Sequence, residues 1–206
     1  MPLLSDADRA RIADAVRRAE QRTSAELVTV IAGSSDTYLA VPLLIAAAVA
    51  LILPGALWLL DLAYGFGTLY AIQLGTFVVL ALLLQWQPVA ARLVPPHIKS
   101  ARSSRHAREQ FLLRGLHRTA TRAGVLLFVS AREHHVEIIA DEGISARVPP
   151  ETWNRIIRTF TEAVRAGEVA KGFVAAIDAI ADVLAQHFPR APDDRNELPD
   201  RLVELD

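Results

Sequence analysis

The chain has 206 residues, and its 22 Lys and Arg nearly balance its 23 Asp and Glu, which gives a formal net charge of −1. A net charge near zero argues against a dedicated nucleic-acid binder, so nucleic acid is not an expected partner. The absence of cysteine excludes disulfide bridges, thiolate metal sites and a cysteine nucleophile. Hydrophobic residues make up 52% of the chain, which is above the usual share and points to a strongly apolar segment.

A helix and a strand are the first elements that the sequence predicts. Ser5 and Asp8 form a helix start signal, after which apolar residues fall on one helical face. The run from Ala25 to Ile31 is rich in β-branched residues, has the length of a strand and ends before Gly33. Residues 1–36 are therefore predicted to form the first part of an α/β domain.

Residues 37–91 carry a single formal charge, at Asp61, and are predicted to form a transmembrane helical hairpin. The uncharged stretches at 37–60 and 62–91 are each longer than the ~20 apolar residues that cross a bilayer. A pair of buried core helices is the alternative, but a soluble domain of this size cannot enclose so long an apolar segment. The glycines that follow Asp61 indicate the turn between the two helices.

Small residues occur in both predicted spans at a spacing that favours close helix packing. Ala46 and Ala50 lie four residues apart on the first span, and Gly67, Ala71 and Gly75 repeat this spacing on the second. Such a stripe lets two helices approach closely, within the hairpin or between two copies of the chain. Because no ionisable residue lies inside either span, the hairpin is predicted to be an anchor rather than a transport path.

The distribution of basic residues predicts the orientation of the hairpin. Three lie within twenty residues before the hairpin and five within twenty residues after it, whereas the turn between the spans has none. Under the positive-inside rule, we expect a two-span protein of the inner (plasma) membrane with both termini cytoplasmic. The segment from Arg92 to Arg122 has eight Lys or Arg and one acid, Glu109. Two roles are open for these charges: they set the orientation of the hairpin only, or they also bind anionic lipid headgroups.

Residues 92–188 are predicted to complete the α/β domain, and residues 189–206 to form an acidic C-terminal tail that lies along the domain or is loose. We expect a helix over residues 99–121 and strands over 124–130 and 135–140, followed by two amphipathic helices. The predicted fold is a small mixed α/β sheet with helices on both faces, interrupted by the hairpin. Its first two strands should be parallel, and its second and third should form an antiparallel hairpin.

Three segments of the sequence resemble the TPM domain family, which is named for thylakoid-lumen, photosystem-repair and receptor-modulator members. They are residues 23–28 (Thr-Ser-Ala-Glu-Leu-Val), residues 124–130 (Gly-Val-Leu-Leu-Phe-Val-Ser) and residues 139–144 (Ile-Ala-Asp-Glu-Gly-Ile). The paired final helices and residues 196–200 are similar to the bacterial membrane-protein branch of this family. The resemblance implies the mixed α/β fold. The inserted hairpin and the expected cytoplasmic side differ from familiar members, which work in lumenal or periplasmic space.

The loop after the third strand carries the candidate metal ligands, Asp141 and Glu142. The predicted topology brings them near Thr23 and Ser24, and an acidic loop beside hydroxyl groups can hold Ca²⁺ or Mg²⁺. Some TPM relatives are reported as acid phosphatases or calcium binders, so the resemblance implies a role for the same two residues. The alternative is a glycine-containing turn with solvated carboxylates, because two adjacent acids are too few for a complete site. No other cofactor is expected.

The six histidines show no metal-binding spacing, and the sequence assigns no catalytic residue. His134 and His135 are neighbours at a strand start, where successive side chains point to opposite faces. Ser130–His134 should lie at the sheet edge where open α/β sheets usually bind ligands. The sequence favours a membrane-anchored module for protein interaction or complex assembly, with another membrane protein or a second copy as partner. A metal-dependent, phosphatase-like hydrolase is the alternative function.

Overall fold

The computed structural model describes residues 4–35, 40–60, 64–85, 94–119, 121–191, 197–198 and 202–205. The chain divides into two compact units. The hairpin unit consists of residues 36–99, and the α/β unit combines residues 1–35 with residues 100–206. Residues 61–63 of the predicted hairpin turn lie outside the described residues, as do residues 196, 199 and 200 of the predicted C-terminal motif.

The helices and strands follow the predicted order, with additions near the C-terminus. The strands are β1 (Glu26–Ala32), β2 (Gly124–Ser130), β3 (His135–Ala140) and β4 (Leu202–Leu205). The α-helices are α1 (Asp6–Glu20), α2 (Ala40–Leu59), α3 (Phe66–Leu84), α4 (Pro96–Leu113), α5 (Glu142–Ser145), α6 (Pro150–Arg165) and α7 (Val169–His187). A 3₁₀ turn lies at Leu116–Arg118.

The four strands form one mixed sheet in the order β3-β2-β1-β4. β1 is parallel to β2, with Glu26 opposite Gly124, and β2 is antiparallel to β3. Both predicted pairings are therefore confirmed. β4 adds a parallel edge to β1, with Thr29 opposite Leu202, which the sequence pattern did not predict.

Helices cover both faces of the sheet, as predicted. α1, α6 and α7 pack on one face, where the alternate strand residues Leu27 and Leu127 point. α4 and the 3₁₀ turn cover the other face, where Val30 and Phe128 are buried beside Phe111. Every residue of β1 and β2 is buried, as expected for central strands that are enclosed on both sides.

Capping and glycine geometry set the ends of two helices. The Ser5 hydroxyl oxygen accepts a hydrogen bond from the backbone N–H of Asp8 (3.2 Å), which confirms the predicted start of α1. The helix predicted over residues 99–121 instead begins at Pro96 and ends at Leu113. Gly115 has φ +72°, a left-handed conformation that glycine adopts without penalty and that ends a helix.

The hairpin unit contains two helices that are long and apolar enough to cross a membrane. α2 has 20 residues and a mean hydropathy of 2.4, and α3 has 19 residues and a mean hydropathy of 2.0. Ala46 and Ala50 are buried where α2 and α3 pack together, as expected. Gly67, Ala71 and Gly75 are exposed instead, so the small residues of the second span do not form this contact, and contact between two copies of the chain stays the predicted role of that stripe.

Candidate functional site

The turn between β2 and β3, residues 131–134, lies at the carboxyl end of the parallel strands β1 and β2. The Ala131 backbone N–H donates to the carbonyl oxygen of Ala32 (2.9 Å), and that of Arg132 donates to Gly33 (3.2 Å). The turn is therefore bonded to the end of β1 as well as to its own strands. This is the edge at which open α/β sheets usually bind ligands, and it is where the sequence placed these residues.

A network of serines around Glu133 joins this turn to the segment that follows β1. The Glu133 carboxylate accepts hydrogen bonds from the Ser34 hydroxyl (3.1 Å), the Ser35 backbone N–H (3.1 Å) and the Ser130 hydroxyl. The Ser35 hydroxyl also donates to that of Ser130 (2.8 Å). The sequence predicted the position of Glu133 at this edge but not its contacts, because only the parallel pairing of β1 and β2 brings it to Ser34 and Ser35.

A second polar cluster lies on the face of the sheet that α4 covers. His135 Nε2 is 3.0 Å from Glu137 Oε2 and 3.4 Å from Ser104 Oγ. The hydrogen bond from His135, helped by Ser104 and by the charge of Arg108, lowers the pKa of Glu137 below its ordinary value, although burial acts in the opposite direction.

This second cluster does not have the geometry of a nucleophilic triad. In a triad, one imidazole nitrogen accepts the proton of the serine while the other donates to the carboxylate. Here Ser104 and Glu137 both lie near the same nitrogen of His135, which cannot accept from one and donate to the other at once. The cluster is therefore suited to holding β3 and α4 together rather than to activating the serine.

The lowered pKa predicts how Glu137 affects stability at acid pH. Its carboxylate stabilises the fold above the pKa of the unfolded chain, and this contribution is lost as the pH falls through the lower, folded pKa. We expect Glu137→Gln to be less stable than the parent chain at pH 7 and to lose less stability between about pH 5 and pH 3. Urea unfolding at stepped pH measures this difference. Glu162→Gln, at an exposed position on α6, is the control, and parallel pH profiles for Glu137→Gln and the parent would contradict the prediction.

A cavity of about 240 Å³, here called the turn cavity, opens beside the β2–β3 turn. It lies between that turn and α6 and combines apolar side chains with two histidines and an arginine. His134 has φ +51°, the left-handed conformation that is uncommon for residues other than glycine. The lining residues are Val129, Ser130, Ala131, His134, His135, Val136, Phe160, Thr161, Val164 and Arg165.

The predicted metal ligands lie at the start of α5 and differ in exposure. Glu142 is exposed, whereas Asp141 is only 8% exposed and its Oδ2 atom is buried without a hydrogen-bond partner in the described structure. The hydroxyls of Thr23 and Ser24 donate to the carbonyl oxygens of Phe188 (2.6 Å) and Pro189 (3.1 Å). Within the described ranges, no group of three or more histidines and acids could hold a metal ion.

Comparison with known proteins finds a family match and a similar solved structure. Residues 93–183 match the family model described as the TPM domain. No curated protein shows significant sequence similarity to the chain. The NMR structure of the BA42 protein from the psychrophilic bacterium Bizionia argentinensis is similar, with a TM-score of 0.63 and 18% identity over 98% of this chain and 96% of that chain. At this identity the likeness shows the fold alone. Residues 93–183 therefore match the TPM domain, and the resemblance predicted from the sequence is confirmed for this part of the chain.

Proposed function

We propose that the chain is a membrane-anchored TPM domain that acts as a module for protein interaction or complex assembly at the cytoplasmic side of the inner membrane. The apolar surface of the hairpin unit carries this proposal. Only 17% of the most apolar window of α2 and 6% of that of α3 is buried, and Leu51 and Ile52 are each 69% exposed. In water, so large an apolar surface would be unfavourable. The hydrocarbon core of a bilayer would remove it from water.

Arginine substitutions on the lipid-facing side test the anchor. Leu74 and Val78 lie one turn apart on α3 and are 50% and 46% exposed. An arginine near the centre of a span costs about 2.5–3.5 kcal/mol, so the Leu74→Arg, Val78→Arg variant should leave the membrane fraction. Leu112→Arg, outside the spans, is the control. Retention of the double variant in carbonate-washed membranes would contradict the anchor.

Terminal fusions test the proposed orientation. Green fluorescent protein should fluoresce at either terminus, because it folds on the cytoplasmic side, and alkaline phosphatase should be inactive at both positions. These are the results expected when basic residues hold both ends of the hairpin inside. The reverse pattern at either end would contradict this orientation.

The partner surface that we propose is the outer side of α4. Leu112 and Leu113 are 57% and 78% exposed. Among the described residues of the α/β unit, the other large apolar side chains are buried or partly buried. Arg108 is exposed one turn before Leu112, and Arg105 is exposed a turn earlier, where its Nε atom is 3.1 Å from the Glu109 carboxylate. An apolar pair beside the cation of Arg108 fits a membrane-protein partner that offers an apolar contact bordered by an acidic residue.

Site-specific crosslinking in native membranes tests this surface. A photoreactive benzoylphenylalanine in place of Leu113 should give a discrete protein adduct, and the same group at the exposed Arg155 of α6 should not. The added substitution Arg108→Glu should abolish the adduct, because it reverses a charge beside the contact. Equal adducts at both positions, or adducts with lipid alone, would contradict the proposed surface.

A metal-dependent, phosphatase-like hydrolase is the second candidate function, and the buried Oδ2 atom of Asp141 favours it. A buried carboxylate oxygen without a partner is costly, and a cation would relieve that cost. The carbonyl oxygens of Thr121 and Arg122, in the loop before β2, lie close to Gly143 and would be further hard ligands. These residues suit Ca²⁺ or Mg²⁺ with Glu142 at the exposed side.

Calcium-dependent thermal stabilisation of the full chain tests the metal site. Millimolar Ca²⁺ or Mg²⁺ should raise the melting temperature of the parent and of the control Glu151→Gln, but not that of the Asp141→Asn, Glu142→Gln variant. Turnover of p-nitrophenyl phosphate should depend on the same two residues. Equal shifts of the melting temperature in all three proteins would contradict the metal site, and with it the proposed hydrolase function.

A further inference from the structure

We propose that the turn cavity binds a small organic anion with an apolar body, such as an aryl or alkyl carboxylate. The cavity belongs to the α/β unit and lies at the carboxyl end of β2, apart from the outer side of α4 and from the Asp141 loop. The proposal does not depend on either candidate function.

The apolar part of the turn cavity fits a hydrocarbon or aromatic group. Phe160 and Val129 belong to the buried core, and Val136 and Val164 pack against that core at its margin. Moving an apolar group from water into such surroundings is favourable. With about 240 Å³, the cavity is below the usual size of drug or cofactor sites, so the ligand should be small.

Arg165 supplies the charge that selects an anion. It ends α6, its side chain is exposed, and among the described residues it has no hydrogen-bond or ion-pair partner. A free guanidinium matches the geometry of a carboxylate and can donate two parallel hydrogen bonds to it. Glu133, the carboxylate of the adjacent turn, is bonded to Ser34 and Ser35 and does not line the cavity.

The conformation of the turn indicates that the cavity exists before a ligand binds. His134, which lines it, has φ +51°, and such backbone conformations persist where the surrounding structure fixes them. Two backbone hydrogen bonds fix the turn, from the Ala131 N–H to the Ala32 carbonyl oxygen and from the Arg132 N–H to the Gly33 carbonyl oxygen. The His134 nitrogen also lies 3.4 Å from the Ala131 carbonyl oxygen. A preformed cavity spares the ligand the cost of ordering the turn.

Fluorine NMR of 4-fluorophenylacetate with the full chain in lipid nanodiscs tests the proposal. The parent chain should broaden and shift the probe signal saturably, beyond the effect of empty nanodiscs. Arg165→Gln should weaken binding about tenfold, the usual loss when a charged hydrogen bond is removed. Arg165→Lys, which keeps the charge, should lose less. The matched control is Arg158→Gln, an exposed arginine on the same helix outside the cavity, and it should bind like the parent.

Two further comparisons separate the contributions of shape and charge. The alcohol 2-(4-fluorophenyl)ethanol, which has a similar body and no charge, should bind the parent more weakly than the acid. Val164→Phe should fill the cavity and abolish saturable binding of both probes. Equal binding of the acid by the parent and Arg165→Gln, or signals no different from those with empty nanodiscs, would overturn the proposal whatever the crosslinking at α4 shows.

Discussion

Replacing Phe173 by alanine is expected to lower the free energy of unfolding of the α/β unit by about 3–5 kcal/mol. Phe173 lies in α7, is fully buried, and packs its ring edge-to-face on that of Phe160, with centroids 5.0 Å apart and an interplanar angle of 79°. The substitution removes this contact and leaves a cavity that the enclosed sheet and helices fill only in part. The loss is large because α1, α6 and α7 share one core.

Urea unfolding followed by the fluorescence of Trp153 measures this loss. Trp153 is buried on α6, and Trp58→Phe with Trp86→Phe leaves it as the sole tryptophan of the chain. Leu113→Ala is the control, because its side chain is largely exposed and should change stability by no more than about 0.5 kcal/mol. A loss below about 1 kcal/mol for Phe173→Ala would show that α7 does not pack on the core as described.

The core around Phe173 could be predicted from the sequence because its signal is local. Apolar residues recur along α7 with the period of a helix, and Phe173, Ile177, Ile180 and Leu184 are all buried. The same holds for β1 and β2, whose continuous apolar runs reflect burial on both faces. A pattern within one element suffices in each case, since the buried face of that element repeats at a fixed spacing.

β4 could not be predicted, because its partners are far away in the chain. Its four residues pair with Thr29–Ala32 of β1, and a short segment within an acidic tail has little strand signal of its own. The Glu204 carboxylate is held by Arg9 of α1 through two hydrogen bonds of 2.5 and 2.9 Å. In the sequence, the charge of Glu204 suggests a solvated tail. In the structure, the same charge helps to hold the edge strand β4 against α1.

The candidate site was predictable in position but not in its contacts. The order of the strands placed the β2–β3 turn at the carboxyl edge, which follows from parallel pairing alone. The bonds of Glu133 to Ser34 and of His135 to Ser104 depend on strand register and on the docking of α4. For Asp141, the residue type could be read from the sequence, but the burial of one carboxylate oxygen could not.

Gly124→Ala is expected to destabilise the α/β unit by about 3 kcal/mol, at the upper end of the range for overpacked cores. A Cβ atom on Gly124 would lie 2.2 Å from the carbonyl oxygen of Leu116 and 2.9 Å from its carbonyl carbon. Backbone atoms cannot rotate away as a side chain can, so the 3₁₀ turn must move, and this would pull the fully buried Leu116 out of the core. Trp153 fluorescence in urea measures the change.

Gly75→Ala is the matched control for this substitution, because a Cβ atom there has no neighbour within 4 Å. It should leave unfolding of the α/β unit unchanged. Gly124 also begins the pairing of β2 with β1, and its carbonyl oxygen accepts the backbone N–H of Asp141 (2.8 Å). A displaced Gly124 would therefore disturb the Asp141 loop, so Ca²⁺ should stabilise Gly124→Ala less than Gly75→Ala. Equal unfolding free energies for the two variants would show that Leu116 does not approach β2 this closely.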